Sequence, residues 1–234
     1  MNSSQFHPDI FGLAVHAFYK LKDETPIIVH AEDFYDDEIP VEYLFRDYEE
    51  MPEIEQEAIS LCKGKILDVG CCAGSHSLEL QKRKFEVTAI DISEKSIEIC
   101  KKRGVQKAFQ KDFFDVNEKY DTILMLMNGI GIAGKIENLP HFFQHLKFLL
   151  KPNGQVLLDS TDLIYLYDDE ITNPDKYYGE IEYRISYKTK TSKPFDWLYI
   201  DFDLLKTKAN EAGFQCEKIC TDGHFSFLAK LSLK

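Results

Sequence analysis

The segment Gly70-Cys71-Cys72-Ala73-Gly74 follows the apolar run Lys65-Ile66-Leu67-Asp68-Val69 and precedes Ser75-His76-Ser77. Glycine lets a backbone turn tightly and approach a ligand with no side chain in the way. A helix opening at Ser75 offers free N–H groups to a polar or anionic ligand group. Asp91 ends the next apolar run, 21 positions after Gly70. A carboxylate there can accept two hydrogen bonds from ribose hydroxyls, the chemistry of a nucleoside site. Its plainer role is to begin the turn before Ser93. The two glycines are four apart with none between, so the G-x-G-x-x-G loop of a dinucleotide site is absent and a nicotinamide dehydrogenase is disfavoured. Asp112, Asn128 and Asp159 follow later apolar runs in the same way. Asp159 and Asp162 flank Ser160-Thr161, where they can orient a polar acceptor or take its proton. Asp159 is equally readable as a strand-end turn residue.

These residues need a frame that brings strand ends together. The expected strands are 65–69, 85–90, 108–110, 122–126 and 155–158, with helices over 75–84, 94–103 (Ser93 as cap, Gly104 as stop) and 139–150. Strands alternating with helices predict an α/β fold with a mostly parallel sheet and helices on both faces. Right-handed crossovers then place Gly70, Asp91, Asp112, Asn128 and Asp159 at one sheet edge, where ligands bind in such folds. Upstream, Pro8 to Leu21 reads as a helix, 22–40 as an irregular acidic stretch that includes Asp33, and Pro52 to about Leu61 as a second helix. Downstream, 180–189 and 195–200 read as an antiparallel hairpin, 201–212 as a helix, and 214–220 and 225–233 as two strands around Asp222-Gly223. The expected organisation is an N-terminal cap segment, 1–64, and a domain over 65–234 carrying the 180–200 hairpin as an insertion.

The motifs resemble a known family. Leu67-Asp68-Val69-Gly70 through Gly74, then Val87-Thr88-Ala89-Ile90-Asp91-Ile92-Ser93, are similar to the first two motifs of class I S-adenosylmethionine-dependent methyltransferases. Lys111-Asp112-Phe113, Tyr120-Asp121-Thr122-Ile123 through Asn128-Gly129, and Leu149-Leu150-Lys151-Pro152-Asn153-Gly154-Gln155 resemble the later ones. The resemblance implies a Rossmann-like seven-stranded sheet with an antiparallel last strand. It implies S-adenosylmethionine as cofactor, S-adenosylhomocysteine as product, and cofactor contacts from Asp68, Gly70, Cys71, Cys72, Gly74, Asp91 and Ile92; His76, in the first turn after the loop, is readable as facing the cofactor or as a solvated helix histidine. Asp112 would meet the adenine amino group and Phe113 the ring. Asn128 would hold the acceptor or the cofactor's amino acid end. The family's N-terminal segment often folds over the cofactor, so Arg46, set among Tyr43, Phe45 and Tyr48, is a candidate partner for the methionine carboxylate; a surface ion pair is the alternative. Catalytic candidates are Asp159 and Asn128. Tyr43, Asp162, Tyr183 and Trp197 are candidates for an acceptor pocket. Cys72 departs from the pattern, since the family commonly has glycine there. A small side chain fits if it points away from the ligand; nothing nearby in sequence marks it as an activated thiol.

Composition limits the rest. The formal charge is -12, which repels nucleic acid and anionic membrane alike. The runs Lys82-Arg83-Lys84 and Lys101-Lys102-Arg103 read as solvated helix ends. No signal peptide or apolar span is expected, and six cysteines without zinc spacing read as reduced thiols in a cytoplasmic protein. His141 and His145 are an i, i+4 pair lacking the glutamate of H-E-x-x-H, His224 carries no motif, and no metal is expected. The expected partner is a small-molecule acceptor, and the chain a monomer or homodimer. Aminopropyl transfer on the same fold, with Asp159 and Asp162 receiving an amine, and a non-catalytic adenosyl-binding protein are the alternatives.

Overall fold

In the computed structural model, Asp9 accepts a hydrogen bond from the Gly12 N–H and so caps the first helix, α1 (Ile10–Leu21). The structure describes residues 9–31, 34–167 and 176–234. The expected helix start at Pro8, and Asp33, lie outside them. The expected irregular stretch after α1 instead contains two strands, β1 (Ile27–Ala31) and β2 (Asp37–Ile39). Their pairing explains why local pattern missed them: β1 lies between β2 and a strand that begins at Glu180.

The alternation then runs as the sequence predicts. Helix α2 (Glu53–Leu61) follows Pro52, and β3 (Lys65–Val69) leads through the glycine loop into α3 (Ser75–Lys82). Next come β4 (Glu86–Asp91), α4 (Glu94–Arg103), β5 (Ala108–Gln110) and β6 (Tyr120–Met125). Ser93 caps α4 by accepting from the Ser96 N–H, and Gly104 closes it at φ 111°. Helix α5 (Leu139–Leu149) precedes β7 (Leu150–Thr161), which is longer than expected. Tyr120 pairs with Leu150 and Thr122 with Gln155, so Lys151-Pro152-Asn153-Gly154 bulges out of the ladder. Strands β8 (Glu180–Tyr187), β9 (Lys190–Thr191) and β10 (Phe195–Leu198) form the expected hairpin region. Helix α6 (Phe202–Glu211), β11 (Phe214–Thr221) and β12 (Ser226–Leu233) end the chain.

The seven-stranded sheet has the order β11-β12-β7-β6-β3-β4-β5. Strands β4 and β5, and β6 and β7, pair in parallel, while β12 runs antiparallel to both β7 and β11. A second sheet has the order β10-β8-β1-β2, with β9 also on β8. The hairpin region is therefore part of a five-stranded sheet that recruits the N-terminal strands.

The chain divides into two compact units, residues 1–51, 67–116 and 182–195 in the first and 52–66, 117–181 and 196–234 in the second. In the first, Ile10, Ala14 and Val15 of α1 pack with Ile27, Val41, Leu44, Ile99, Ile185 and Tyr187 into one apolar cluster. In the second, Phe142, Phe143 and Phe214 stack edge to face or tilted at centroid distances of 5.6 and 5.8 Å, a geometry favoured by the ring quadrupoles. Among the described residues, no helix is long and apolar enough to cross a membrane.

Candidate functional site

The glycine loop is built from left-handed backbone. Gly70, Cys72 and Gly74 have φ of 73°, 46° and 85°. The two glycines are required for different reasons. A Cβ on Gly74 would lie 2.7 Å from the Cys100 sulfur and 2.9 Å from Val105, so its bare backbone lets α4 come close. A Cβ on Gly70 would meet nothing within 4 Å. Open space against a left-handed backbone after a strand is where a ligand can approach the main chain. The N–H groups of Gly70 and Cys71 both donate to the Ile90 carbonyl, at 2.9 and 3.0 Å, which ties the loop to the end of β4.

Asp91 completes that tie. Its Oδ2 accepts from the Cys72 N–H and its Oδ1 from the Ser93 N–H, both at 2.8 Å. Each oxygen keeps a second lone pair for a ligand hydroxyl. Burial pushes the Asp91 carboxyl up to about 6, opposed by the two N–H groups and reinforced by the nearby Asp9 and Asp68. Asp68 is buried and accepts from Ser77 Oγ at 2.5 Å, which fastens β3 to the first turn of α3; burial raises its pKa. His76 occupies that same turn and is also buried. Asp112 caps the 3₁₀ turn Phe113–Asp115 by accepting from the Phe114 N–H at 2.9 Å, and Phe113 is buried. Gln110 Nε2 donates to the Ile92 carbonyl at 3.1 Å, linking the ends of β4 and β5.

Cys72 holds a conformation that favours glycine, and its side chain packs against the apolar cluster around α1. Burial, with the Asp91 carboxylate beside it, raises the thiol well above its ordinary range. This is the opposite of the depressed pKa that a nucleophilic thiol needs.

The N-terminal segment supplies Arg46, which is 5% exposed, donates to the Tyr43 carbonyl and lies over the Tyr43 ring at 3.9 Å. Tyr183 is half-buried on β8, paired with Ala31 and 6.4 Å from the Phe195 ring. Arg103 is a residue the sequence reading misplaced. It is not a solvated helix end: it donates to the carbonyls of Ala73 and Phe45 at 2.8 and 2.9 Å and to Ser75 Oγ at 3.1 Å. The carbonyls of Ala73 and Phe45 draw the guanidinium inward, and its burial lowers its pKa.

In the second unit, Met127 and Asn128 follow β6 with φ of 60° and 58°. Consecutive left-handed residues other than glycine are strained and persist only where the surroundings hold them. Asn128 is held on three sides. Its N–H donates to Asp159 Oδ1 at 2.8 Å, its Nδ2 to the Leu198 carbonyl at 3.0 Å, and its Oδ1 accepts from Ser160 Oγ at 3.0 Å. Ser160 Oγ in turn accepts from the Ile200 N–H at 3.0 Å. Asp162 caps the turn Leu163–Leu166 and accepts the Tyr178 hydroxyl at 2.8 Å. Tyr177 donates to Asp201 at 2.8 Å. Burial raises both phenols. A Cβ on Gly131 would lie 2.1 Å from the Trp197 indole, so that ring rests on bare backbone. Ser160, Tyr177, Tyr178 and Gly131 carry no motif; their partners lie up to 66 positions away (Gly131 and Trp197).

An open glycine loop tied to a strand-end carboxylate, on a sheet of this order, defines the Rossmann-like fold of the class I S-adenosylmethionine-dependent methyltransferases. A family model described as a methyltransferase domain matches residues 62–209, and the chain belongs to that family. A methyltransferase from Bacteroides fragilis, solved in complex with S-adenosyl-L-homocysteine, is 45% identical with a TM-score of 0.91, covering 100% of this chain and 97% of that one. Ubiquinone biosynthesis O-methyltransferase of Rickettsia conorii is 30% identical over 115 residues, 46% of this chain and 38% of that protein. Cypemycin N-terminal methyltransferase of a Streptomyces species is 29% identical over 102 residues, 42% of each. The chain thus aligns with about two fifths of the length of these two curated relatives.

Proposed function

We propose that the chain transfers a methyl group from S-adenosylmethionine to a small-molecule acceptor. The observation that carries this is the Gly70 backbone, open on its Cβ side and locked to Asp91 by the Cys72 N–H. When bound, S-adenosylmethionine supplies a methyl group already activated on a sulfonium. Asp91 accepts the ribose hydroxyls. Asp112 receives the adenine amino group, with Phe113 and Ile92 against the ring. Gly70, Cys71 and Cys72 contribute backbone. Asp68, Gly74 and His76 shape the turn that follows, and Arg46 pairs with the methionine carboxylate. The chain's remaining task is to hold the acceptor in line and exclude water.

A hydroxyl or ammonium acceptor must also lose a proton. Asp159 is the proposed base, with Asn128 as the positioning residue that fixes the backbone beside it. Asp162, Tyr43, Tyr183 and Trp197 are the proposed acceptor contacts. By their names, one of the two curated relatives is an O-methyltransferase of ubiquinone biosynthesis and the other an N-terminal methyltransferase; the acidic charge of -12 favours a small acceptor over nucleic acid. All six cysteines are free, which supports a cytoplasmic setting.

Calorimetry with S-adenosylmethionine, S-adenosylhomocysteine and NAD tests the cofactor. Both adenosyl ligands bind and NAD does not; silence with both adenosyl ligands refutes the reading. Release of S-adenosylhomocysteine across a metabolite panel then identifies the acceptor and separates methyl transfer from binding alone.

A further inference from the structure

We propose that Ser186, His30 and Asp36 form a second site, on the five-stranded sheet, that transfers acyl groups from carboxylic esters. His30 Nδ1 lies 2.8 Å from Asp36 Oδ2, and His30 Nε2 lies 2.7 Å from Ser186 Oγ. A carboxylate only accepts, so it fixes the imidazole proton on Nδ1. Nε2 then carries a lone pair and accepts the Ser186 hydroxyl. A nucleophile bonded to a base, and that base oriented by an acid, is the arrangement that activates serine.

The sheet fixes the positions of two of the three residues, His30 and Ser186. Ser186 stands on β8 between Ile28 of β1 and Thr191 of β9. His30 is two residues along from Ile28, and Asp36 immediately precedes β2. Side chains alternate between faces along a strand. Val29, Ile185 and Tyr187 pack into the apolar cluster, so His30 and Ser186 share the opposite face. That face is reachable: the His30 and Asp36 side chains are 34% and 58% exposed, and Ser186 is half-buried. Arg184 is exposed and pairs directly with His30 across the ladder, on the same face. Its guanidinium is the group suited to stabilise the oxyanion.

The step balances with an ester and water. As the Ser186 Oγ–carbon bond forms, the hydroxyl proton passes to His30 Nε2. The ester carbon–oxygen bond then breaks and the leaving alkoxide takes that proton. Water repeats the sequence on the acyl-serine, releasing the carboxylic acid and restoring the hydroxyl.

The test uses the full chain with a fluorophosphonate, which forms a Ser Oγ–phosphorus bond as fluoride leaves, and with p-nitrophenyl acetate. The expected result is a phosphonyl adduct mapped by mass spectrometry to Ser186. Ser186→Ala removes the adduct. His30→Gln slows adduct formation and ester hydrolysis at least about 100-fold. Unchanged circular dichroism and S-adenosylmethionine binding in Ser186→Ala show that the fold is kept. Labelling at other serines only, or an equal rate in His30→Gln, overturns the proposal. So does a lowered melting temperature in these variants with no adduct in the parent, the signature of a simple tie between strands.

Discussion

The two compact units hold their candidate site residues by different means. In the first, the glycine loop is held by backbone: Gly70 and Cys71 bond to the Ile90 carbonyl, and Cys72 and Ser93 donate to Asp91. These partners lie within about one strand-helix-strand repeat, and each residue's role follows from its place in the turn. In the second, Asn128 Nδ2 donates to the Leu198 carbonyl and Ser160 Oγ accepts from the Ile200 N–H, both far along the chain, while Asp159 accepts from the Asn128 N–H. A ligand common to many proteins can be bound by a local motif. An individual acceptor is bound by whatever side chains a particular chain brings together, and those have no fixed spacing.

The difference can be broken at both ends. Asn128→Ala removes one buried donor and one buried acceptor and leaves alanine in a left-handed conformation. The expected loss is about 3 kcal/mol of stability in urea unfolding. A loss under about 1 kcal/mol would mean that the Asn128 network is not what fixes this region. Asp91→Ala acts on the other side, weakening S-adenosylmethionine binding by about 2 kcal/mol in calorimetry, the scale of hydrogen bonds to a charged group. Unchanged affinity would remove the ribose assignment.

Acid sharpens the same point. With its carboxyl at about 6, Asp91 is ionised and accepts hydroxyl protons above that pH. Affinity for S-adenosylmethionine should fall roughly tenfold between pH 7.5 and 5, and Asp91→Asn should flatten that profile. The sign for the ligand-free fold is opposite. The unfolded carboxyl titrates near 3.9, so between about 4 and 6 the folded form binds more protons, and this group's contribution to stability rises as pH falls through that window. The smallest effect is expected at Cys72. Cys72→Val places a branched side chain in the left-handed region and should be about 1 kcal/mol less stable than Cys72→Gly by thermal unfolding, with cofactor affinity in Cys72→Gly unchanged.

Much of this was legible in the sequence. The strands β3 to β6, the Ser93 cap, the Gly104 stop and the closing antiparallel pair follow from patterns that repeat within a few residues. Strands β1 and β2 were not legible, because a five-residue strand is recognisable chiefly through its partner, and that partner begins at Glu180. Spacing pointed to Asp91 itself, but not to the hydrogen bond from the Cys72 N–H that ties the glycine loop to it. Arg103 could not be placed either: a cation at a helix end looks solvated until the carbonyls of Phe45 and Ala73 are known to surround it. The Asn128 network joins three distant segments, and no single segment signals it.

The pairing of β1 with β8 also bears on how the chain is made. Ile28 and Ser186 are partners, so roughly 8–30 s of synthesis, at ~5–20 residues per second, separate their emergence. During that interval the Ile27–Ala31 segment has β2 on one edge and an open edge on the other, the kind of exposure that invites pairing with a neighbouring nascent chain. Asp36, Asp37 and Glu38 follow within seven residues of Ala31, the last two on β2, and like charges on identical chains repel. That charge on the β2 side would work against association of nascent chains while the other edge of β1 waits for β8.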